Sequence, residues 1–240
     1  MSWAKAKNFF KDCDVETCDG GFAILLDGRQ IHTPGGGSLI LPGQALAIAV
    51  SAEWAAQEET IRPDTMPMTG FCCTTLDTVA GNRADIAGQL SKYAQTDLLC
   101  YRADEPEDLV AEQQAQWQPL LGWVEDAFGA RLRVTTCILP VDQPPEAIQA
   151  LQKAAEDLDD WQLTVLASVT QATGSLVIGL AVLHGRLDAD NAFGASQLDE
   201  TWQTSMWGED SEDAKRRAAL NAEIQDAARF LNLVRDGEGP

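Results

Sequence analysis

The sequence predicts an α+β protein: a small antiparallel β-rich N-terminal domain over residues 1–68, followed by an orthogonal α-helical bundle over residues 69–240. Three observations lead there. Short β-prone runs separated by glycine-containing turns crowd the chain up to Leu41. A stretch with two prolines, Ile61 to Met68 (IRPDTMPM), then interrupts the pattern. From Thr69 onward the chain takes on helical spacing, with apolar residues recurring every three or four positions.

The strands come first. Asp14 to Cys18 is followed by Asp19-Gly20-Gly21, and Phe22 to Leu26 (FAILL) by Asp27-Gly28. An Asp-Gly pair between β-prone runs favours a tight hairpin, because both turn positions need positive φ. Gln30 to Thr33 and Ser38 to Leu41 are read as further short strands around the loop Pro34-Gly35-Gly36-Gly37, giving a meander. Pro42-Gly43 then opens a helix over Ala45 to Glu59, with Leu46, Val50, Trp54 and Gln57 along one face. This helix is expected to lie against the strands.

The helical part begins with segments over Cys72 to Val79 and Ala84 to Thr96, separated by Gly81-Asn82. Leu98 to Tyr101 is short and β-prone. Leu109 to Phe128 stripes Val110, Gln113, Trp117, Leu120, Val124 and Phe128, and Pro119 is expected to kink or split it. Leu132 to Leu139 reads as a strand or an extended crossing. Pro144-Pro145 starts a helix with Ile148, Leu151, Ala155 and Leu158 inward. Asp160 is the expected cap of Trp161 to Thr170, and Leu176 to His184 is apolar on all sides, so it belongs at the centre of a core. Asp188 begins a helix reaching about Met206. Ser211 is the cap candidate for the last helix, striped by Leu220, Ile224, Ala227, Leu231 and Val234, beyond which Arg235 to Pro240 is expected to fray.

Composition narrows the function. Hydrophobic residues make up 45% of the chain, enough for a core, and the formal charge is −20, from 37 acidic and 17 basic side chains. Such a surface repels phosphates and anionic lipid, which argues against nucleic acid and membrane as partners. It suits basic or mixed-charge protein surfaces, though acidity also serves solubility alone. No apolar run approaches the roughly 20 residues that span a bilayer. The N-terminus, MSWAKAKNFFKD, has no secretory pattern, so a cytoplasmic location is expected.

Motifs for chemistry are missing. The six cysteines form no C-x-x-C pair and the histidines, His32 and His184, have no companions at ligand spacing, so neither metal nor cofactor is expected. The cysteines are read as buried free thiols. There is no nucleophile elbow, P-loop or dinucleotide fingerprint. Asp199, Glu200, Glu209 and Asp210 could in principle pair as general acid and base, but 37 acids generate such neighbours by chance.

What remains is aromatic. Trp202 to Asp210 (WQTSMWGED) places two tryptophans, a glycine and two carboxylates together. Gly208 is a helix-ending signal, which puts Glu209 and Asp210 on an inter-helix corner. Trp202 and Trp207 either dock a partner beside these acids or fill the helical core. Upstream, Ala52 to Gln57 (AEWAAQ) has the same flavour. Trp54 lies on the core stripe, with Glu53 and Gln57 at the edge of that face.

These blocks resemble the Atp12 family of assembly chaperones for the F1 part of ATP synthase. The resemblance rests on Leu26-Asp27-Gly28-Arg29 with Thr33-Pro34, Ala52 to Gln57, Pro63 to Thr69 (PDTMPMT) and Thr96 to Arg102 (TDLLCYR). It continues through Gln116 to Leu121 (QWQPLL), Gly174 to Ala181 (GSLVIGLA), Asp199-Glu200, Trp202-Gln203 and Trp207 to Asp210. Each block alone is weak; together, in family order, they span nearly the whole chain. Met68 stands where the family usually has a larger apolar residue, and Phe71-Cys72-Cys73 is an unusual version of its segment.

The resemblance implies a chaperone that binds the free F1 α subunit and shields its interface until β displaces it. It implies no catalysis, a protein that is monomeric when free, and a bacterial member acting in the cytoplasm where eukaryotic relatives act in the mitochondrial matrix. Trp54, Gln57, Glu200, Trp202, Trp207, Glu209 and Asp210 are the protein-binding candidates. An acidic scaffold for an unrelated basic protein, or a carboxylate-dependent hydrolase, are the alternatives.

Overall fold

The computed structural model describes residues 6–137, 139–208 and 210–237. By packing, the chain divides into two compact units: one built from the chain up to Asn82 together with the chain from Arg229 onward, the other Arg83–Ala228. A division after Met68 is the sequence expectation; the packed units part later, at Asn82, for a reason given by side chains described below.

The first unit is a small sheet covered by helices. Strands β1 (Cys13–Cys18) and β2 (Gly21–Leu26) pair antiparallel, from Cys13 opposite Leu26 to Cys18 opposite Gly21. The hairpin after β2 turns through Asp27 at φ 49° and Gly28 at φ 75°, the left-handed pair that such a turn demands. Strand β3 (Arg29–Gln30) then pairs with the end of β2, and β4 (Ile40–Leu41) pairs with its beginning. This departs from a simple meander: β3 and β4 share one edge of β2, with residues 31–39 looping out between them. Gly21 makes that return possible, since a Cβ there would collide with the Leu41 carbonyl.

Helix α1 (Gln44–Ala55) packs on β1 and β2 through Leu46, Val50 and Trp54, all fully buried. It stops short of the expected Glu59, because Gln57 turns back. The Gln57 amide donates to the Glu53 carbonyl and to Thr65 Oγ1, and its oxygen accepts the Arg62 N–H at 2.7 Å. Helix α2 (Pro67–Thr74) runs through a π-type segment, Thr75–Val79, into α3 (Ala80–Gln95), which belongs to the second unit from Arg83 onward. The expected Gly81-Asn82 break is a kink at Asn82 (φ −134°, ψ 25°) rather than an end. In the same unit, Phe230 stacks on Phe71 with ring centroids 5.0 Å apart.

The second unit is helical. After the 3-10 turn Leu98–Cys100 come α4 (Glu107–Phe128), α5 (Pro145–Glu156), α6 (Asp160–Thr173) and α7 (Leu176–Leu183). They are followed by α8 (Ala189–Ser196), α9 (Leu198–Trp207) and α10 (Ser211–Arg235), whose residues from Arg229 belong to the first unit. Every residue of α7 is buried, as its all-round apolarity requires. Gly179 lets α6 approach: a Cβ there would lie 2.6 Å from Thr170 Oγ1 and 3.0 Å from Leu166 Cδ1.

Several local expectations are revised. The segment at residues 98–100 is a 3-10 turn; only at Tyr101 does the chain bridge, in parallel, to Thr135. Residues 132–137 are therefore an extended crossing, while Ile138 lies outside the described residues. Helix α4 stays continuous through Pro119, because that side is exposed and water can take the carbonyl the ring leaves unbonded. The cap of α6 is Asp159, in a capping box with Gln162, whereas Asp160 is held by the Arg83 guanidinium. The long helix expected from Asp188 is two, α8 and α9, broken at Gln197 (φ −113°, ψ 23°). Of the cysteines, Cys72, Cys73 and Cys100 are buried free thiols, Cys13 and Cys18 are half-buried, and Cys137 is exposed.

Candidate functional site

The blocks singled out in the sequence fall into two kinds. Most of them join one another inside their unit. Glu53, half-buried on α1, accepts the Met68 and Thr69 N–H groups at 2.7 and 2.8 Å and the Thr69 hydroxyl at 2.7 Å. It thereby caps α2, whose own N-cap residue Met66 supplies no side-chain cap. Burial pushes the Glu53 carboxyl up from its ordinary value, and these hydrogen bonds oppose the rise. The AEWAAQ and PDTMPMT blocks are thus one clasp.

Asp77 makes a similar closure. It accepts the Thr33 hydroxyl and, at 2.7 Å, the Gly35 N–H. A Cβ on Gly35 would strike that carboxylate, which explains a glycine after Thr33-Pro34. These contacts, with the Phe71–Phe230 stack, bind α2 and the π-type segment to the sheet unit. They are why the unit extends past Met68.

In the helical unit, TDLLCYR meets GSLVIGLA. Asp97 is fully buried and accepts Ser175 Oγ at 2.7 Å, Leu99 N–H at 3.1 Å and Val177 N–H at 3.1 Å. The carboxylate sits at the N-terminus of α7, where the helix dipole favours negative charge. Burial pushes its pKa up to about 6, against the lowering by these hydrogen bonds. Ser175 caps α7 by accepting the Ile178 N–H. QWQPLL is anchored by Trp117, whose buried indole donates to the Ala195 carbonyl at 2.9 Å.

The last blocks behave differently. Helix α9 buries Leu198 alone among its residues. Trp202 is half-buried, Met206 is 59% exposed and Trp207 is 75% exposed. The two tryptophan rings meet edge to face with centroids 6.0 Å apart. Gly208 (φ 86°) ends the helix. Asp210 is exposed and caps α10, accepting the Glu212 and Asp213 N–H groups at 2.7 and 3.0 Å. Those bonds hold its carboxyl below the ordinary value. The cap is therefore Asp210, not Ser211. Arg217 of α10 donates to Thr201 Oγ1 at 2.8 Å and to Thr204 Oγ1 at 3.4 Å, tying the two helices at the corner.

Of the candidate residues, the structure brings Trp202, Trp207 and Asp210 to this corner, with Glu200 half-buried on the preceding turn. Glu209 lies outside the described residues. Trp54 and Gln57 are elsewhere and interior, 0% and 7% exposed, so in this arrangement they shape α1 rather than face a partner. Sequence reasoning placed Gln113 only on the stripe of Leu109 to Phe128, and it missed the exposure of Met206 and the fastening roles of Asp97 and Asp77. Met206 stands within the quoted segment and its helical offset from Trp202 is a usable signal. The others depend on distant partners, Ser175 for Asp97, Thr33 for Asp77 and Asp199 for Gln113, and nothing local announces them.

Among the described residues no helix is long and apolar enough to cross a membrane. A two-part α+β chain that presents an apolar, aromatic helix edge beside carboxylates has the makings of a protein-binding module, and its relatives give the class: chaperones. The family model described as "ATP12 chaperone protein" matches residues 7–125. The crystal structure of Atp12 from Paracoccus denitrificans is 40% identical, with a TM-score of 0.90, covering 96% of this chain and 99% of that one. The mitochondrial proteins atp12 of Schizosaccharomyces pombe and ATP12 of Saccharomyces cerevisiae are each 25% identical, over 90% and 85% of this chain and 81% and 76% of theirs. The chain belongs to the Atp12 family, the ATP synthase assembly chaperones.

Proposed function

We propose that this protein binds the free α subunit of F1 and shields its interface until β takes its place, without making or breaking covalent bonds. The observation that carries the reading is the exposed Trp207, beside Met206 and Trp202, at a corner flanked by Glu200 and Asp210. A subunit destined for a ring exposes apolar surface while it is alone, and such surface aggregates. Exposed tryptophan and methionine supply apolar contact to that surface. The carboxylates select a client with basic groups at the rim of the patch. Binding must stay weaker than the final α–β contact, so that β displaces the chaperone by mass action.

The site comprises Trp202, Trp207, Glu200, Glu209 and Asp210, with Trp54 and Gln57 organising α1. The free protein is a monomer, works in the cytoplasm, and needs no cofactor. Co-expression with F1 α tests this. The protein should raise the soluble α recovered and co-elute with it. Trp207→Ala and Glu209→Lys should each abolish that recovery while the melting temperature stays near that of the parent. Soluble α unchanged by the chaperone would reject the reading, and co-elution of other basic proteins in place of α would favour an acidic scaffold.

A further inference from the structure

Helix α9 has few anchors. Leu198 is its buried residue, and Arg217 holds its Thr201 and Thr204 side. A further side-chain tie is at its first turn. Asp199 Oδ1 accepts the Gln113 side-chain N–H at 2.7 Å. Gln113 is 1% exposed and both ends of its amide are used, since its oxygen accepts the Ala103 N–H at 2.8 Å. The Gln113 backbone carbonyl in turn accepts Arg102 Nη1 at 3.2 Å, while Arg102 Nε donates to the Leu99 carbonyl at 2.7 Å. The Arg102 guanidinium lies over the Trp117 ring, 5.3 Å from its centroid. Trp117 donates to Ala195, and Ala195 and Asp199 flank the break at Gln197.

We infer that the Gln113–Asp199 hydrogen bond is a latch that fixes the direction in which α9 leaves the break, and so places Trp202 and Trp207 for client binding. Helix α4 grips the chain on both sides of that break, through Trp117 before it and Gln113 after it. A turn of free rotation at Gln197 would swing the far end of α9, about 15 Å along its axis from the break at about 1.5 Å per residue. Asp199 is therefore a positioning residue. Its half-exposed carboxylate also invites a rival reading, direct contact with the client. The inference rests on the α9 corner being the client surface.

The test uses the full chain with Asp199→Ala, Asp199→Asn, Gln113→Leu and the double variant Asp199→Ala/Gln113→Leu. Two measurements are made on each: amide hydrogen exchange of residues 198–207 against that of α6, and α subunit captured on co-expression. Asparagine keeps an oxygen for Gln113 but removes the charge. Asp199→Ala and Gln113→Leu should each speed exchange in α9 about ten-fold relative to α6, and lower capture about ten-fold. Asp199→Asn should leave both within about two-fold, and the double variant should be no worse than the worse single one.

Equal damage from Asp199→Asn and Asp199→Ala would overturn the latch, since a charge contact would then be at work. So would unchanged α9 exchange in Asp199→Ala, additive losses in the double variant, or acceleration throughout α6, which would mark a role in the whole fold. If the parent protein captures no α, the functional reading fails while the exchange measurements still judge the latch.

Discussion

Trp54 and Trp207 sit in sequence settings that look alike, each on a helix with acidic neighbours, yet they have opposite fates. Trp54 is fully buried beneath α1, against Phe10 at 5.8 Å between ring centroids, and the adjacent Glu53 is used up in capping α2. Trp207 is 75% exposed, and its neighbour Asp210 faces water while capping α10. The difference lies in what covers the helix. Helix α1 has a sheet beneath it; α9 buries little beyond Leu198. A tryptophan beside an acid is thus a clasp in one place and an open surface in the other.

That contrast can be broken most forcefully at Trp54. Trp54→Ala should destabilise the protein by about 3–5 kcal/mol, read from chemical denaturation, because it empties a large closed space. A loss below about 1 kcal/mol would mean that the space under α1 collapses without cost. Next in size is the clasp itself. Glu53→Ala leaves the Met68 and Thr69 N–H groups without their acceptor and should cost about 1–3 kcal/mol by the same measurement.

Acidity sharpens the comparison. Asp97 holds its proton up to about pH 6 in the folded protein, against an ordinary value of 3.8, because burial disfavours the charge. Between those values the folded state binds a proton that the unfolded chain has released. The contribution is therefore fully present below the ordinary value and is lost as pH rises toward 6, on the order of 1–3 kcal/mol. Asp97→Asn should abolish that slope in a stability-versus-pH series, whatever it does to stability overall. Glu53 is shifted in the same direction. Asp210 has the opposite sign: its lowered pKa means that its cap contributes above the ordinary carboxylate range and is lost as pH falls through the folded value. Asp210→Ala should remove that acid-side loss.

The smallest stability effect belongs to the exposed ring. Trp207→Ala should change unfolding free energy by no more than about 0.5 kcal/mol, while α subunit recovery falls. A large stability loss with recovery intact would make the corner structural and reverse the comparison.

Much of this was legible from residues alone. The Asp27-Gly28 hairpin, the stripe of Leu46, Val50 and Trp54, the all-apolar α7 and the stop at Gly208 are local patterns. Positive φ, a period of 3.6 and apolar burial act over a few residues, so they can be read in order along the chain. Family blocks could be recognised as an ordered set, but not told apart as clasps or surfaces. Glu53 needed Met68 and Thr69, and Asp97 needed Ser175, 78 positions away. The break at Gln197 shows the same limit, since local spacing favours one helix from Asp188.

The sequence by itself determined the α+β class, most helices and the family, because those follow from periodicity, turn chemistry and an ordered set of motifs. Tertiary structure decided where the units part, that Asp97 keeps its proton to a higher pH than a free carboxyl, and which tryptophan faces water. Those depend on groups distant in the chain being brought within about 3 Å, where desolvation and hydrogen bonding outweigh any local preference.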